Sequence, residues 1–268
     1  HPRSEPLFRI ASATALAFAL ASLAGCYFTR SPSRPVPALE FRRAAEMRQH
    51  CLVVFMPGFL DGPDSYLDNR FPHALNGSGA PCDSLGLDLH VRYYSDTGLA
   101  AIVYSDVLIP AAARGYDEIW LVGISMGGLG ALLTASQHPE MVDGVILIAP
   151  FVGDEHVLAE IRDAGGLGLW DPPDDIADAP WTEANYTQHV WAWLQGYDVD
   201  PDSMPPLYIG WGDDDSLGEG DALLGDVQPD GHVFHAPGGH GWSVWGPLWQ
   251  DILRRAPVGR VTPPLAAP

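Results

Sequence analysis

The chain contains no lysine, and it has few basic side chains of any kind. All 14 of its basic residues are arginine, against 34 aspartates and glutamates in 268 residues, which gives a formal net charge of −20 at pH 7. A surface with this excess of negative charge repels nucleic-acid phosphates and anionic lipid headgroups. We therefore expect neither of them to be a partner.

Cysteine is also scarce, with three residues in the chain. Cys26 follows an apolar N-terminal segment, which leaves Cys51 and Cys82 for the rest of the protein. In an oxidising compartment these two residues can form a disulfide that closes a loop of about thirty residues. Alternatively, Cys51 is a small buried hydrophobic residue at the start of a strand.

The apolar N-terminal run, residues 10–24, is too short to span a membrane comfortably. Arg3 and Arg9 precede it, and small residues follow, a pattern typical of a secretory signal peptide. The residues before and at Cys26, Leu-Ala-Gly-Cys, resemble the bacterial lipobox. That resemblance implies cleavage before Cys26 and a lipid attached to it. In the alternative, an ordinary signal peptide, this cysteine is incidental.

These features predict a domain organisation with one folded unit, since 268 residues suit a single large α/β domain. The mature protein would be a cell-envelope lipoprotein, periplasmic or tethered to the outer membrane in a Gram-negative cell. The predicted segments are a signal peptide (residues 1–25), a lipid anchor with a Pro-rich tether (26–44), the folded domain (45–256) and a flexible tail (257–268).

Short apolar runs alternate with helix-like segments through the predicted domain. Strands that are apolar throughout and alternate with helices indicate a mostly parallel sheet covered on both faces. Functional residues gather at the carboxyl ends of such strands. The predicted strands are residues 51–56, 87–93, 119–122, 144–149, 207–211 and 231–236, and the predicted helices include 99–113, 129–137 and 242–255.

Residues 151–205 break this alternation with acidic, tryptophan-rich sequence, which predicts a short helical cap. Its tryptophans could form the walls of an acyl pocket, or they could be the core of the cap itself. The residues concerned are Trp170, Trp181, Trp191 and Trp193.

Residues 123–128, Gly-Ile-Ser-Met-Gly-Gly, have the sequence form of a nucleophile elbow. An apolar strand precedes them and a helix of small residues follows, so Ser125 would stand at the tip of a sharp strand-to-helix turn. Gly123 and Gly127 remove side chains that would collide in such a turn, and Gly128 allows close packing of the helix on the sheet. Ser125 is therefore the candidate nucleophile.

A serine nucleophile needs a base, and the base needs an acid that orients it. His240 is the candidate base because it follows the last predicted strand in a glycine-rich loop. Asp215 is the candidate acid, in Gly-Asp-Asp-Asp after the preceding strand. Asp213 is the main alternative and Asp214 the third. Asp154, after an earlier strand, is a weaker candidate.

The reaction also needs hydrogen-bond donors for the oxyanion. Pro57, Gly58 and Phe59 directly follow the first apolar strand. A tight turn there would direct the backbone amide of Phe59 toward the site, and the amide of Met126 would be the second donor. The alternative for this segment is an ordinary turn.

Together these motifs resemble the α/β-hydrolase superfamily over roughly residues 45–256. The chain order of serine, aspartate and histidine is that of the superfamily. Two features depart from it: Pro57 stands where a histidine often precedes the glycine, and the cap is short. The resemblance implies a serine hydrolase fold and a Ser125, His240 and Asp215 triad, with no metal or organic cofactor.

The expected activity is hydrolysis of carboxylic esters with small or medium acyl chains through an acyl-enzyme, so the expected partner is a small-molecule ester. The same triad would also serve an acyltransferase, a thioesterase or a peptidase. A non-catalytic envelope binding protein is the remaining alternative. The sequence leaves the oligomeric state open.

Overall fold

The structure, a computed structural model, describes residues 30–42, 50–95 and 98–260. Seven strands within these residues form one sheet, in the order β1-β3-β2-β4-β5-β6-β7. β1 is antiparallel to β3, and every other neighbouring pair is parallel. The strands are β1 (Ala38–Phe41), β2 (Cys51–Met56), β3 (Cys82–Leu87), β4 (Glu118–Ile124), β5 (Gly144–Ile148), β6 (Leu207–Gly212) and β7 (Val233–Ala236).

The central strands are buried along their length, as expected for a sheet with helices on both faces. All six residues of β2 and of β6 and all five of β5 are buried, and in β4 the first residue alone is partly exposed. The predicted mostly parallel sheet with helices is thus confirmed. The helices are α1 (Pro63–Asp68), α2 (Phe71–Gly77), α3 (Leu99–Val103), α4 (Ile109–Ala113), α5 (Met126–Gln137), α6 (Glu155–Ala164), α7 (Tyr186–Leu194), α8 (Gly196–Val199), α9 (Gly218–Gly225) and α10 (Trp242–Arg255).

The helical stretch from α3 to α4 contains one wide turn. A π-helical segment, Tyr104–Leu108, connects the two helices and ends just before Pro110, the second residue of α4. Proline lacks the amide hydrogen that a regular helix interior requires. The helix predicted over residues 99–113 therefore changes its pitch before Pro110, and the helical path continues through this change.

The second predicted strand was wrong in position. Residues 87–93 share only Leu87 with β3, and Val91–Tyr93 form a 3₁₀ helix. The alternating apolar residues that suggested a strand are buried in this loop: Leu89 and Tyr93 are at most 2% exposed. The alternation of apolar residues predicted burial correctly, but such alternation does not distinguish a buried loop from a strand.

Part of the predicted tether is packed against the domain. Residues 38–41 pair with β3 as the edge strand β1. Before it, Val36 is buried, and its amide donates to Asp106 over 3.0 Å. Arg34 donates to both carboxylate oxygens of Asp106, at 2.6 and 2.7 Å. The Pro-rich composition predicted a tether because composition carries no information on contacts with residues distant in the chain.

Cys51 and Cys82 form a disulfide, which resolves the alternative left open by the sequence. The two residues are paired neighbours in the parallel register of β2 and β3. Both are nearly fully buried, at 2% and 1% exposure. The bond therefore joins two adjacent strands at their start, across a sequence separation of 31 residues.

The predicted signal peptide, Cys26 and the end of the chain from residue 261 onward lie outside the described residues. Of the predicted flexible tail, residues 257–260 are packed: Val258 is buried, and the amide of Gly259 donates to Glu118. Among the described helices, none has both the length and the apolar character needed to cross a membrane. The stretch between β5 and β6 holds α6, α7 and α8, with no strand in it.

Candidate active site

Ser125 stands at the junction of β4 and α5 in a strained backbone conformation, with φ of 51° and ψ of −120°. A positive φ is uncommon for a residue other than glycine and is found at functional sites, where the surrounding structure holds it. Two backbone hydrogen bonds hold it here: the Ser125 amide donates to Ile148, and the Phe151 amide donates to the Ser125 carbonyl, at 3.1 and 2.8 Å. The turn is thus tied to β5 and to the loop that follows it.

The glycines around Ser125 have no room for a side chain. A Cβ at Gly123 would lie 2.3 Å from the carbonyl oxygen of Gly127, and a Cβ at Gly128 would lie 2.4 Å from Cβ of Pro150. Both distances are far below any real contact. The backbone approaches closely at this sharp turn, as the glycines in the sequence predicted.

His240 bridges Ser125 and Asp215. Its Nε2 lies 2.9 Å from Oγ of Ser125, and its Nδ1 lies 2.9 and 3.0 Å from the two carboxylate oxygens of Asp215. The Asp215 side chain is fully buried, and one of its oxygens also accepts a hydrogen bond from the amide of Leu217. The three side chains form one continuous hydrogen-bonded chain.

Pairing of β6 with β7 brings the acid and the base together. Gly212 is the register partner of Ala236 at the ends of these strands. Beyond them, the Asp214 amide donates to the Gly238 carbonyl over 2.9 Å. A Cβ at Gly212 would lie 2.2 Å from that same carbonyl oxygen. The two loops are therefore locked against each other, and His240 follows two residues later.

The other predicted acids lie elsewhere. Asp213 is exposed and lies 3.9 Å from Nδ1 of His235, and Asp214 is exposed as well. Asp154 accepts hydrogen bonds from the hydroxyls of Tyr186 and Thr187, at 3.0 and 3.3 Å. Of the four candidates, Asp215 alone hydrogen-bonds to His240 among the described residues.

A second buried carboxyl, Asp221, lies near Asp215 and was not predicted. It is 0% exposed, in the first turn of α9, and neither of its oxygens has a hydrogen-bond partner in the described chain. Burial, together with the negative charge of Asp215, raises the pKa of Asp221 well above its ordinary value. Nothing in the sequence around Asp221 distinguishes it from an aspartate on the surface, so its burial could not be predicted.

Ser125 opens onto a cavity of about 480 Å³ with mostly apolar walls. Phe59 and Met126, the predicted oxyanion residues, both line it. Gly58 also lies close to the nucleophile, since a Cβ there would be 3.4 Å from Cβ of Ser125. The other lining residues are Tyr94, Leu99, Leu129, Leu133, Phe151, Glu183, Tyr186 and Leu217.

The cap tryptophans are absent from the described walls of this cavity. Trp170 and Trp191 are buried, at 6% and 0% exposure, and Trp191 donates to the carbonyl of Val152. Trp181 stacks on the ring of His189. These residues form the core of the cap. The aromatic walls are instead contributed by Phe59, Tyr94 and Phe151 and by Tyr186, the first residue of α7, and no local pattern marked them.

Within residues 30–42, 50–95 and 98–260, no three histidine, cysteine or acidic side chains are grouped as ligands for a metal ion. Ser125 hydrogen-bonds to His240, and His240 hydrogen-bonds to Asp215. Such a chain can move a proton from a hydroxyl to an imidazole and hold the resulting imidazolium.

Comparison with solved structures gives the fold. Est1E from Butyrivibrio proteoclasticus is 17% identical, with a TM-score of 0.54 over 81% of this chain and 90% of that one. FphF, a fluorophosphonate-binding serine hydrolase of Staphylococcus aureus, is 14% identical, with a TM-score of 0.53 over 83% and 94%. The S-formylglutathione hydrolase FrmB of the same species is 14% identical, with a TM-score of 0.51 over 76% and 80%.

No curated protein matches this sequence significantly. The Esterase family, described as "Putative esterase", matches residues 108–256, more than half of the chain. The matched region contains the nucleophile elbow and both of the residues that form the hydrogen-bonded chain with Ser125. The protein is therefore an α/β-hydrolase that belongs to the Esterase family.

Proposed function

We propose that this protein hydrolyses carboxylic esters with small or medium acyl chains, with Ser125 as nucleophile, His240 as base and Asp215 as the acid that orients the base. The observation that carries the proposal is the unbroken chain of hydrogen bonds from Oγ of Ser125 through His240 to a buried carboxylate. The strained turn under Ser125 supports it, because such strain is kept where function requires it.

In the proposed reaction, Nε2 of His240 accepts the hydroxyl proton as Oγ of Ser125 attacks the ester carbonyl. The tetrahedral intermediate collapses, the carbon–oxygen bond to the alcohol breaks, and His240 returns the proton to the departing alcohol. Water then attacks the acyl carbonyl while His240 takes its proton, the bond from the carbonyl carbon to Oγ of Ser125 breaks, and His240 returns the proton to Oγ as the acid product leaves. Asp215 accepts a hydrogen bond from Nδ1 throughout and stabilises the transient imidazolium.

The negative charge on the carbonyl oxygen would be stabilised by the backbone amides of Phe59 and Met126. Both residues line the cavity beside Ser125, one from the turn after β2 and one from the start of α5. Donors placed in advance on a rigid turn stabilise the transition state without reorganisation. The apolar cavity would hold the acyl chain, and its volume lies within the range of small-molecule sites.

A fluorophosphonate probe with mass spectrometry tests the nucleophile. We expect the probe to label Ser125 in the wild-type protein and to leave Ser125→Ala unlabelled. Ser216→Ala, a matched removal of an exposed hydroxyl after Asp215, should be labelled normally. Labelling that persists in Ser125→Ala would contradict the proposal, and so would a folded wild-type protein that is never labelled.

A series of p-nitrophenyl esters of increasing chain length tests the substrate class. We expect kcat/KM to be highest for small or medium chains and to fall for long ones. Faster hydrolysis of a thioester or of a peptide would replace the esterase assignment with thioesterase or peptidase. Faster transfer of the acyl group to an acceptor than to water would replace it with acyltransferase. A protein that binds these esters without turning them over would be a binding protein.

We also propose that the protein is exported and anchored through a lipid on Cys26. The lipobox-like residues before Cys26 support this, and the disulfide between Cys51 and Cys82 is of a kind that persists in oxidising compartments. In the native host, Cys26→Ser should move the protein from the membrane fraction to the soluble fraction. Retention of this variant in the membrane would refute the anchor.

A further inference from the structure

Glu183 is the single acidic residue among the described residues that line the Ser125 cavity, and no arginine is among those residues. The other walls are apolar or carry a hydroxyl, methionine or phenol group. Glu183 is exposed, and no ion pair to it is found within the described chain. A substrate in this cavity therefore meets the negative charge of Glu183, and the other described lining residues carry no charge.

The neighbouring surface adds charge of the same sign. A second cavity, of about 460 Å³, shares Phe151 and Leu217 with the first and is also lined by Asp154, Glu155 and Glu219. No arginine is among its described lining residues. Acidic side chains thus lie on both sides of the shared wall.

Arg162 offsets part of this second group, because it pairs with Glu155 and with Glu219, the latter at 3.3 Å. Asp154 differs from these two. Its described partners are the hydroxyls of Tyr186 and Thr187, which donate hydrogen bonds but bring no positive charge. Glu183 and Asp154 are therefore acidic groups near the acyl site for which no ion pair is found within the described residues.

We infer that Glu183 selects substrates by charge: the enzyme hydrolyses esters whose acyl chain is neutral or cationic and discriminates against acyl chains that end in a carboxylate. This inference rests on the proposed ester hydrolysis at Ser125. A carboxylate in the cavity would lose water and face a like charge across a medium less polar than water, whereas a cation there would be attracted.

Glu183 would act on binding and not on the chemical step. It belongs to the cap segment before α7, and the hydrogen bonds of Ser125, His240 and Asp215 do not include it. An interaction made equally in the ground state and the transition state changes KM and leaves kcat unchanged. The effect of Glu183 should therefore appear in KM for charged substrates, and salt should weaken it.

Three p-nitrophenyl esters of matched length test the inference: the hexanoate, the 6-(trimethylammonio)hexanoate and the adipate monoester. Spontaneous hydrolysis is subtracted with the Ser125→Ala protein. At low ionic strength we expect kcat/KM for the cation to exceed that for the anion by roughly tenfold or more, a ratio that shrinks in about 0.5 M salt.

Glu183→Gln should reduce the ratio of kcat/KM for the cation to that for the anion roughly fivefold or more, through KM. Glu140→Gln is the matched control, because it removes the same charge from an exposed site beyond the far end of α5. α5 has 12 residues, which places this site about 18 Å along the helix from Ser125. The control should keep the wild-type ratio.

Two results would overturn the inference while the esterase proposal stands: wild-type protein that hydrolyses all three esters with similar kcat/KM, or a charge ratio that Glu183→Gln leaves unchanged. A change of equal size in Glu140→Gln would assign the effect to the overall charge of the protein and also refute a role for Glu183. If the wild-type protein does not hydrolyse the neutral hexanoate or its shorter homologues, that result would instead count against the proposed function.

Discussion

Gly127 at the start of α5 lies directly against Met56 at the end of β2: a Cβ on the glycine would be 1.9 Å from the Met56 carbonyl oxygen. The same Cβ would be 2.7 Å from the carbonyl oxygen of Pro57. The nucleophile elbow and the turn that leads to Phe59 are thus packed backbone to backbone. This contact limits how far Ser125 can lie from Phe59, one of the two proposed oxyanion donors.

Gly127→Ala should therefore lower kcat/KM by more than any loss of folded protein accounts for. The added methyl group overlaps backbone atoms that cannot rotate away, so the elbow and the oxyanion turn must separate. A displacement of about 1 Å in such a site can lower the rate on the order of a hundredfold. The measurement is kcat/KM for a p-nitrophenyl ester.

Gly77→Ala is the control for this substitution. Gly77 ends α2 and has open space where a Cβ would stand, so the variant should keep full activity. Wild-type activity in folded Gly127→Ala would contradict the proposed role of this contact.

Replacement of the three neighbouring aspartates should give unequal effects. Asp215→Asn keeps the shape of the side chain but removes the charge that stabilises the imidazolium, and we expect kcat to fall by about 10³ to 10⁴. Asp213→Asn and Asp214→Asn alter exposed side chains and should stay within about threefold of wild type. A larger loss in Asp213→Asn than in Asp215→Asn would reassign the acid.

Asp221 should make the protein less stable as the pH rises. The pKa of its carboxyl is raised in the folded state, so the folded protein keeps a proton that the unfolded chain releases. The contribution is fully present below the unfolded pKa of about 3.9 and is lost as the pH rises toward the folded pKa. In this range a single such proton changes the free energy of unfolding by up to about 1.4 kcal/mol per pH unit.

Asp221→Asn removes this titrating group, so its free energy of unfolding should fall less steeply than that of wild type as the pH rises above about 4. Denaturant melts across this range measure the two slopes. Asp226→Asn, which removes an exposed carboxylate just after α9, should follow the wild-type curve. Parallel curves for wild type and Asp221→Asn would show that Asp221 ionises normally in the folded protein.

Reduction of the disulfide should lower the free energy of unfolding by roughly 3 to 4 kcal/mol, because the bond between Cys51 and Cys82 restricts a loop of this length in the unfolded chain. Denaturant melts with and without a thiol reductant measure the loss. The double variant Cys51→Ala with Cys82→Ala should be insensitive to reductant. If wild type melts identically in both conditions, the bond contributes nothing to stability.

Much of the central framework could be predicted from local patterns. β2 and α10 match the predicted residues 51–56 and 242–255, and the elbow was recognised from its strand, glycines and helix. The failures at β1 and β3 have a common cause. Ala38–Phe41 is a short edge strand, and β3 contains polar and small residues, so both owe their conformation to pairing with neighbours distant in the chain.

The sequence by itself determined the fold class, the serine at the elbow and the order of acid and base, because glycine placement and hydrophobic periodicity act over a few residues. Only the tertiary structure decided which of three adjacent aspartates hydrogen-bonds to His240, whether Cys51 and Cys82 are joined, and which side chains line the cavity. Those outcomes depend on distances of a few ångströms between residues far apart in the chain, and such distances are set by packing of the whole sheet.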